Sequence, residues 1–106
     1  MTALGDKLRE LRKKKGYTLE KLAELTDSSK SYIWELENKN PPRPSADKLA
    51  SIAKALGTTS DYLLALDTET EASATDKAFF RKYQSMDGKT KDTIRQMLEV
   101  IAKTNV

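Results

Sequence analysis

Apolar residues recur every three or four positions along most of the chain, which is the spacing of amphipathic α-helices. The first predicted helix runs from about Ala3 to Lys15, with Thr2 as its cap, and its inward stripe is Leu4, Leu8 and Leu11. No segment alternates with the two-residue period of a half-buried strand. The pattern therefore predicts an all-α protein.

Capping residues divide this pattern into five N-terminal helices. Ser and Thr are preferred directly before a helix, and Gly directly after one. The predicted N-caps are Thr18, Ser29 and Ser45, and the predicted stops are Gly16 and Gly57, with a fifth, short helix that starts at Thr58 or Thr59 and runs through Leu66. The third of these helices covers Lys30 to about Asn38.

A second unit is predicted after Leu66. Residues 67–75 contain no large apolar side chain, which is typical of a linker. Asp76 is predicted to cap a helix over Lys77–Ser85, and a last helix covers about Lys89 to Lys103. The predicted organisation is a domain over residues 1–66, a linker over 67–75 and a pair of helices over 76–106.

The residue types present exclude several kinds of chemistry. The 106 residues include no Cys and no His, so disulfides, thiol nucleophiles, imidazole bases and the usual zinc ligands are absent. The four glycines are isolated and form no phosphate-binding loop. We therefore expect no enzyme activity, no cofactor and no metal. The longest apolar run has five residues and the N-terminus does not resemble a signal peptide, which favours a cytoplasmic protein with no membrane partner.

The net charge of +3 is unevenly distributed along the chain. Residues 1–66 hold 12 Lys and Arg against 9 Asp and Glu, whereas residues 67–106 hold 7 of each. Four of the basic residues form the run 12–15. Such a run fits a solvated helix end, where cations favour the negative pole of the helix dipole, as well as it fits an anionic partner. Basic charge alone therefore identifies no function.

The second and third predicted helices are joined by a three-residue break, Thr26-Asp27-Ser28, which is the outline of a helix-turn-helix over about 19–38. At about 100° per residue, the third helix separates into two faces. Ile33, Leu36 and Glu37 lie on one side, and the other side carries Lys30, Ser31, Trp34, Glu35 and Asn38. A recognition helix needs this division, because one face packs on its own domain while the other reads base edges in the major groove. An ordinary surface helix shows the same division, so the pattern alone leaves both interpretations open.

A resemblance to a known family favours the first interpretation. The residues that carry it are Leu8-Arg9-Glu10-Leu11-Arg12, Tyr17-Thr18-Leu19-Glu20-Lys21-Leu22-Ala23, Ser29-Lys30-Ser31-Tyr32-Ile33, Leu36-Glu37-Asn38, Pro44-Ser45, Ala53-Lys54-Ala55-Leu56-Gly57 and Asp61-Tyr62-Leu63-Leu64. In this order and spacing, the stretch from about Leu8 to Leu66 resembles the Cro/cI-like helix-turn-helix domain of the Xre family, which includes the lambdoid phage repressors. The resemblance implies a five-helix lambda-repressor-like domain, here followed by a two-helix C-terminal extension, and sequence-specific binding of double-stranded DNA.

The resemblance also implies roles for individual residues. The positions that match DNA-facing or phosphate-facing positions of the family are Thr18, Ser29, Lys30, Ser31, Trp34, Glu35, Asn38, Lys39 and Arg43. Among these, we hypothesise that Lys30 donates to guanine and Glu35 accepts from cytosine, whereas Glu35 could instead only repel phosphate. Trp34 could pack on a thymine methyl or a sugar, or against its own loop or a second copy. Arg12 and Glu37 match a structural ion pair between the first and third helices.

The turn and the second helix depart from the family pattern. Leu19 stands where many members carry a phosphate-binding Gln, so that contact is expected to be missing. Asp27 replaces the common Gly of the turn, but Asp tolerates a positive φ better than most residues. Ser28 replaces an apolar residue, so we expect the turn to be less anchored in the core.

The C-terminal helices are the predicted dimerisation element. Their apolar side chains are Phe79, Phe80, Ile94, Met97, Leu98 and Ile101, too many to leave exposed on a two-helix appendage. Folding back onto the same chain is the alternative. The prediction is a homodimeric transcriptional repressor that binds a palindromic operator. An antitoxin that also represses its own operon, or an adaptor that binds protein on the same fold, stays open, and so does a toxin or a regulatory metallopeptidase as a further partner.

Overall fold

The computed structural model describes residues 3–39, 44–64 and 70–104, and within these ranges every regular element is an α-helix. The helices are α1 (Ala3–Lys14), α2 (Leu19–Leu25), α3 (Lys30–Asn38), α4 (Ala46–Leu56), α5 (Ser60–Leu64), α6 (Glu71–Gln84) and α7 (Gly88–Thr104). The predicted all-α class is confirmed. The predicted cap Thr2, the loop residue Arg43 and residues 65–66 of the fifth helix lie outside the described ranges.

Side-chain caps place the starts of the central helices. The hydroxyl oxygens of Thr18, Ser29 and Ser45 each accept a hydrogen bond from the backbone N–H three residues later, at 3.0, 3.0 and 3.1 Å. Each hydroxyl thereby satisfies one of the backbone donors that a helix N-terminus leaves without a partner. Gly57 ends α4 in the left-handed region, at φ 68°. These four predicted boundaries are confirmed.

The core of the N-terminal domain is built around α3. This helix packs on α1 and α2, while α4 packs on α2 and α5, and α5 also contacts α1. The buried apolar residues come from all five helices: Leu8, Leu11, Leu22, Ala23, Ile33, Leu36, Leu49, Ile52, Ala53, Leu56 and Leu63. The predicted stripes therefore face inward, with Leu4 only partly buried at the edge. One side of α3 is buried in this core, and its other side is exposed.

Gly5 allows α1 to pass close to the C-terminal end of α3. A Cβ atom at this position would lie 2.7 Å from the carbonyl oxygen of Leu36 and 2.8 Å from that of Glu37. Both distances are shorter than any ordinary carbon–oxygen contact, and the obstructing atoms are backbone. Only glycine fits this crossing without a shift of one helix.

The start of α6 differs from the prediction. The helix begins at Glu71, and Thr70 caps it by accepting a hydrogen bond from the Ser73 N–H at 3.0 Å. The prediction of a linker through residue 75 and of a helix start at Lys77 was therefore wrong. The reason is that the inward residues of α6 are small: Ala74 and Ala78 are buried, and no large apolar residue marks their face.

Polar contacts at both of its ends help to hold α6 against the N-terminal domain. Lys14 Nζ lies 2.6 Å from Glu71 Oε1, which joins the end of α1 to the start of α6. Further along, Arg81 Nη2 donates to the carbonyl oxygen of Thr58 at 3.4 Å. The hydrogen bond that Lys14 donates to Glu71 raises the pKa of Lys14 above its usual value. The first helix of the extension thus folds back on its own chain.

The last helix, α7, contacts α6 through the ring of Tyr83. The ring of Tyr83 lies 5.6 Å from Lys91 Nζ and 5.7 Å from Arg95 Cζ, within range of cation–π attraction. No residue of α7 is buried. None of the described helices is long and apolar enough to cross a membrane, and the described residues contain no cluster of acidic side chains fit to hold a metal ion.

Candidate nucleic-acid interface

The outward face of α3 is polar except for one aromatic ring. Ile33, Leu36 and Glu37 are buried, as the helical wheel predicts. The opposite side carries Lys30, Ser31 and Glu35, all exposed, and Trp34, which is 43% exposed. The structure therefore brings these four predicted DNA-facing residues onto one open surface.

The N-terminal end of this face is linked to α2 by an ion pair. Lys30 Nζ lies 2.8 Å from Glu20 Oε1, and both side chains are mostly exposed. The hydrogen bond from Lys30 lowers the pKa of Glu20 below its usual value, and the Thr18 hydroxyl adds to the same effect. Exposed pairs of this kind are weak, so Lys30 is free to exchange Glu20 for another acceptor. Sequence reasoning missed Glu20, which carries no local signal of its role.

The aromatic ring of the face has a basic neighbour. Lys39 Nζ lies 5.6 Å from the centroid of the Trp34 ring. An ammonium group over the face of an indole is attracted by the ring quadrupole. The structure thus places two of the predicted DNA-facing residues, Trp34 and Lys39, side by side at the end of α3, with the ring and the cation available together.

Asn38 is already engaged within the domain. Its Oδ1 accepts a hydrogen bond from Arg9 Nη2, and its Nδ2 donates to the Trp34 carbonyl oxygen at 2.9 Å. The amide therefore ties the end of α3 to α1. Of the predicted DNA-facing residues described by the structure, this side chain is the most committed to internal contacts.

Arg12 and Glu37 are brought together as a buried ion pair. Arg12 Nε donates to Glu37 Oε2 at 2.7 Å, and Nη2 donates to Oε1 at 3.0 Å. The remaining nitrogen, Nη1, donates to the Tyr17 carbonyl oxygen at 2.9 Å. Glu37 is only 1% exposed, and its hydrogen bonds raise the pKa of Arg12 further above its ordinary value. The pair fixes α3 to α1 from the inner side, so Glu37 is not available to read a base.

The turn between α2 and α3 is closed by a residue from α4. Asp27 has a φ of 52°, the left-handed conformation expected at this position. Lys48 Nζ donates to the carbonyl oxygens of Thr26 and Asp27 at 2.9 and 3.1 Å, and to Ser28 Oγ at 2.8 Å. Hydrogen bonds from a neighbouring helix thus replace the apolar contact that Ser28 lacks. Sequence reasoning missed Lys48.

The predicted dimerisation residues lie on α6 and α7. Ile94 is half-buried, and the exposed members are Phe79, Phe80, Met97, Leu98 and Ile101, together with Val100 at 64% exposure. Folding back of α6 covers its alanines and leaves both phenylalanines outside. The chain by itself therefore presents an apolar surface on α7 that it does not cover.

The chain is also similar to known helix-turn-helix proteins. A model of the helix-turn-helix family HTH_3 matches residues 8–63. The HTH-type transcriptional regulators SinR of Bacillus licheniformis and of Bacillus subtilis (strain 168) are each 34% identical to this chain over 68 residues, which is 64% of this chain and 61% of theirs. The chain thus spans less than two thirds of the length of these relatives.

Solved structures also resemble the chain. The crystal structure of SinR, the master regulator for biofilm formation, in complex with DNA has a TM-score of 0.55 at 33% identity and covers 57% of this chain and 97% of that one. The complex of the SinR and SinI proteins has a TM-score of 0.55 at 25% identity, with 96% and 97% covered. The clp gene regulator ClgR of Corynebacterium glutamicum has a TM-score of 0.54 at 31% identity, with 92% and 87% covered. The two wider matches extend over α6 and α7.

Proposed function

The chain belongs to the HTH_3 helix-turn-helix family, with a Cro/cI-like domain of Xre type, and on this premise we propose that it is a sequence-specific DNA-binding transcriptional regulator. The observation that carries the proposal is the division of α3. Its inner side is fixed by Ile33, Leu36 and the Glu37 ion pair, and its outer side presents donors and acceptors on an open surface. A rigid helix with one free polar face is what major-groove readout requires. SinR, which is similar to this chain, has been crystallised in complex with DNA.

In this proposal α3 lies in the major groove, and its outward residues make different kinds of contact with the DNA. Lys30 donates to guanine O6 and N7, and Glu35 accepts from cytosine N4. Ser29 and Ser31 contact bases or adjacent phosphates at the N-terminal end of α3. Thr18 lies at the start of the neighbouring helix, α2. Lys39 and Arg43 approach the phosphate backbone, and Trp34 packs on a thymine methyl or a sugar. Phosphate contacts set affinity, whereas base contacts set sequence preference.

Base readout is tested by single substitutions on α3. Operators are first selected from random duplex DNA, and Lys30→Ala and Glu35→Ala are then measured against every single-base change in a half-site. Each is expected to lose about 1–3 kcal/mol of discrimination at one base position. Lys54→Ala, an exposed lysine of α4, is the control for lost charge. Equal losses on all sequences would assign Lys30 and Glu35 to backbone or structural roles instead.

We further propose that the protein is a homodimer and a repressor. One recognition helix covers few base pairs, and dimers of this type bind half-sites about 34 Å apart. The exposed Met97, Leu98, Val100 and Ile101 support self-association through α7, because an amphipathic helix gains most of its stability from packing its apolar side. Such a dimer would bind a palindromic operator and repress by occupying a promoter.

Sedimentation of the 106-residue chain tests the dimer. The wild type is expected to sediment as a dimer, and the double variant Leu98→Lys, Ile101→Lys as a monomer with weaker operator binding. Glu99→Lys is the control, because it changes charge on the other side of α7. A double variant that stays dimeric would exclude this surface from the dimer.

A second candidate for the same surface is a different protein chain. The observation that favours it is the likeness over 96% of this chain to the SinR–SinI complex, in which a related protein assembles with a partner protein. Co-purification of a second chain that is lost in the α7 double variant would support this candidate, which includes the antitoxin and adaptor functions. An electrophoretic shift that weakens steeply with salt separates the antitoxin from the adaptor, which binds no DNA.

A further inference from the structure

The ammonium group of Lys48 makes as many hydrogen bonds as it has hydrogens. It donates to the Thr26 carbonyl oxygen, the Asp27 carbonyl oxygen and Ser28 Oγ at 2.9, 3.1 and 2.8 Å. An ammonium has three donors and no acceptor, so its hydrogen-bonding capacity is complete. All three acceptors belong to the turn between α2 and α3. Lys48 is therefore bound to that turn, with no hydrogen left to donate to a phosphate.

Its position in α4 departs from the ordinary pattern of a helix start. Lys48 is the third residue after the N-cap Ser45, where a capping box would have Glu or Gln. A cation in the first turn also opposes the positive pole of the helix dipole. A residue that breaks a local rule of this kind is expected to make a compensating contact elsewhere in the fold.

What Lys48 stabilises is the end of α2. No basic residue lies in the last turn of α2, whose C-cap is Thr26. The carbonyl oxygens at a helix C-terminus lack partners within the helix and carry partial negative charge. Lys48 supplies the missing cation from α4, and it does so at the residues that lead directly into Ser29, the N-cap of α3.

We infer that Lys48 is a positioning residue that sets the angle at which α3 meets DNA, an inference that rests on the proposed DNA binding. The turn is short, its central residue Asp27 has a positive φ, and Ser28 is bonded to both Thr26 and Lys48. A displacement of this turn moves the N-terminal end of α3, where Lys30 and Ser31 lie. Lys48 therefore affects the choice of base through the residues it orients, without touching the base.

This role differs in a measurable way from that of a phosphate-binding lysine. Loss of a phosphate contact weakens binding to all sequences and lowers the slope of log K against log salt by about 0.9. Loss of a positioning contact weakens binding to the selected operator and leaves binding to unrelated DNA, and the salt slope, unchanged. The ratio of the two dissociation constants is the quantity that separates them.

The experiment compares Lys48→Met with Lys54→Met in the 106-residue chain. Both remove one lysine charge from α4, and Lys54 is exposed and lies in the last turn. Dissociation constants are measured for the selected operator and for an unrelated duplex over a series of salt concentrations. For Lys48→Met we expect the ratio of unrelated to operator constants to fall about tenfold, as loss of roughly 1.4 kcal/mol of discrimination requires, with no change in salt slope. Lys54→Met is expected to keep the wild-type ratio.

A second measurement needs no DNA. The Ser28 N–H donates to the Ala23 carbonyl oxygen at 2.8 Å, so its exchange with solvent reports opening of the turn. In Lys48→Met this amide should exchange at least severalfold faster, while the amide of Leu36 in the core exchanges as in the wild type. Ser28→Ala should lower the ratio of the dissociation constant for unrelated DNA to that for the operator in the wild-type background. It should have little effect on this ratio in the Lys48→Met background, because both changes remove the contact between Ser28 and Lys48.

The outcomes distinguish this inference from the proposed function. A wild-type chain that selects no sequence from random duplex would overturn the proposed function and, with it, the effect of Lys48 on DNA. A wild-type chain that selects an operator, together with a Lys48→Met variant that keeps both the ratio and slow Ser28 exchange, would overturn the inference alone. Uniform weakening on all DNA with a lower salt slope would show that Lys48 binds phosphate instead.

Discussion

The ion pair between Arg12 and Glu37 predicts a strong and asymmetric effect on stability. Arg12→Met keeps most of the apolar stem of the side chain but leaves the Glu37 carboxylate, 1% exposed, without its two closest donors. Breaking a buried pair in this way costs about 3–5 kcal/mol. Arg9 Nε remains 3.5 Å from Glu37 Oε1, so we expect the lower end, about 3 kcal/mol. The midpoint of thermal unfolding should fall by about 10–20 °C.

Substitution of the other partner, Glu37→Met, should lower the free energy of unfolding by less than Arg12→Met does, because Arg12 is more exposed than Glu37. In Glu37→Met the Arg12 side chain, 13% exposed and still bonded to the Tyr17 carbonyl, can turn towards water. The double variant Arg12→Met, Glu37→Met removes both charges and should recover at least half of the loss seen in Arg12→Met.

Urea unfolding followed by circular dichroism and by Trp34 fluorescence measures all three variants, with Lys13→Met as the control for a lost charge on an exposed lysine of α1. A loss below about 1 kcal/mol for Arg12→Met, the range of surface pairs, would refute the reasoning. So would a double variant as unstable as the sum of the single ones.

Three further predictions concern single positions. Gly5→Ala should lower the free energy of unfolding by about 1–3 kcal/mol, because its Cβ would meet two backbone oxygens of α3, and an unchanged urea midpoint would show that α1 can move away. Thr58→Val should raise stability by about 1 kcal/mol, because the buried Thr58 hydroxyl has no hydrogen-bond partner among the described residues; a lower melting temperature would contradict this. Lys30→Met should raise the pKa of Glu20 towards its ordinary value, as followed by carbon NMR of the carboxyl. Since the folded-state pKa of Glu20 is lowered, its stabilising contribution is present above the unfolded value and lost as pH falls through the folded one, and an unchanged pKa in the variant would exclude the pair.

Local signals were sufficient to predict most of the N-terminal domain. Capping by Thr18, Ser29 and Ser45 depends on atoms within three residues of the cap, and the sequence contains all of them. The two faces of α3 follow from helical periodicity alone. Even the positive φ of Asp27 could be expected, because few residues other than Gly tolerate it as well.

The start of α6 could not be predicted in the same way. Periodicity is read from large apolar residues, whereas the inward positions of this helix are Ala74 and Ala78. Alanine is the best helix former but gives little hydrophobic contrast with its neighbours. The surrounding Thr, Ser and Glu residues then resemble a linker, although Thr70 is a good N-cap.

The contacts that orient α3 were the least predictable part of the site. Lys48 bonds mainly to backbone carbonyl oxygens, which every residue has, and it does so across about twenty positions of sequence. The pair between Glu20 and Lys30 joins two helices whose relative orientation is known only in the folded chain. The unusual position of Lys48 in the first turn of α4 could have indicated that this residue has a special role. It could not have indicated which residues Lys48 contacts.

Helix α3 is therefore fixed by two kinds of contact with different consequences. Ile33 and Leu36 bury apolar surface, and such contacts are non-directional, so they restrict the tilt of α3 less sharply than hydrogen bonds do. The Arg12–Glu37 pair at the inner side of α3 and Lys48 at the preceding turn are directional and act at opposite ends of the helix. A side chain that reads a base must be placed within about 0.5 Å, which apolar packing alone does not ensure. Two basic residues of the N-terminal domain, Arg12 and Lys48, are thus committed to orienting α3 and are not available to bind phosphate in the proposed complex with DNA.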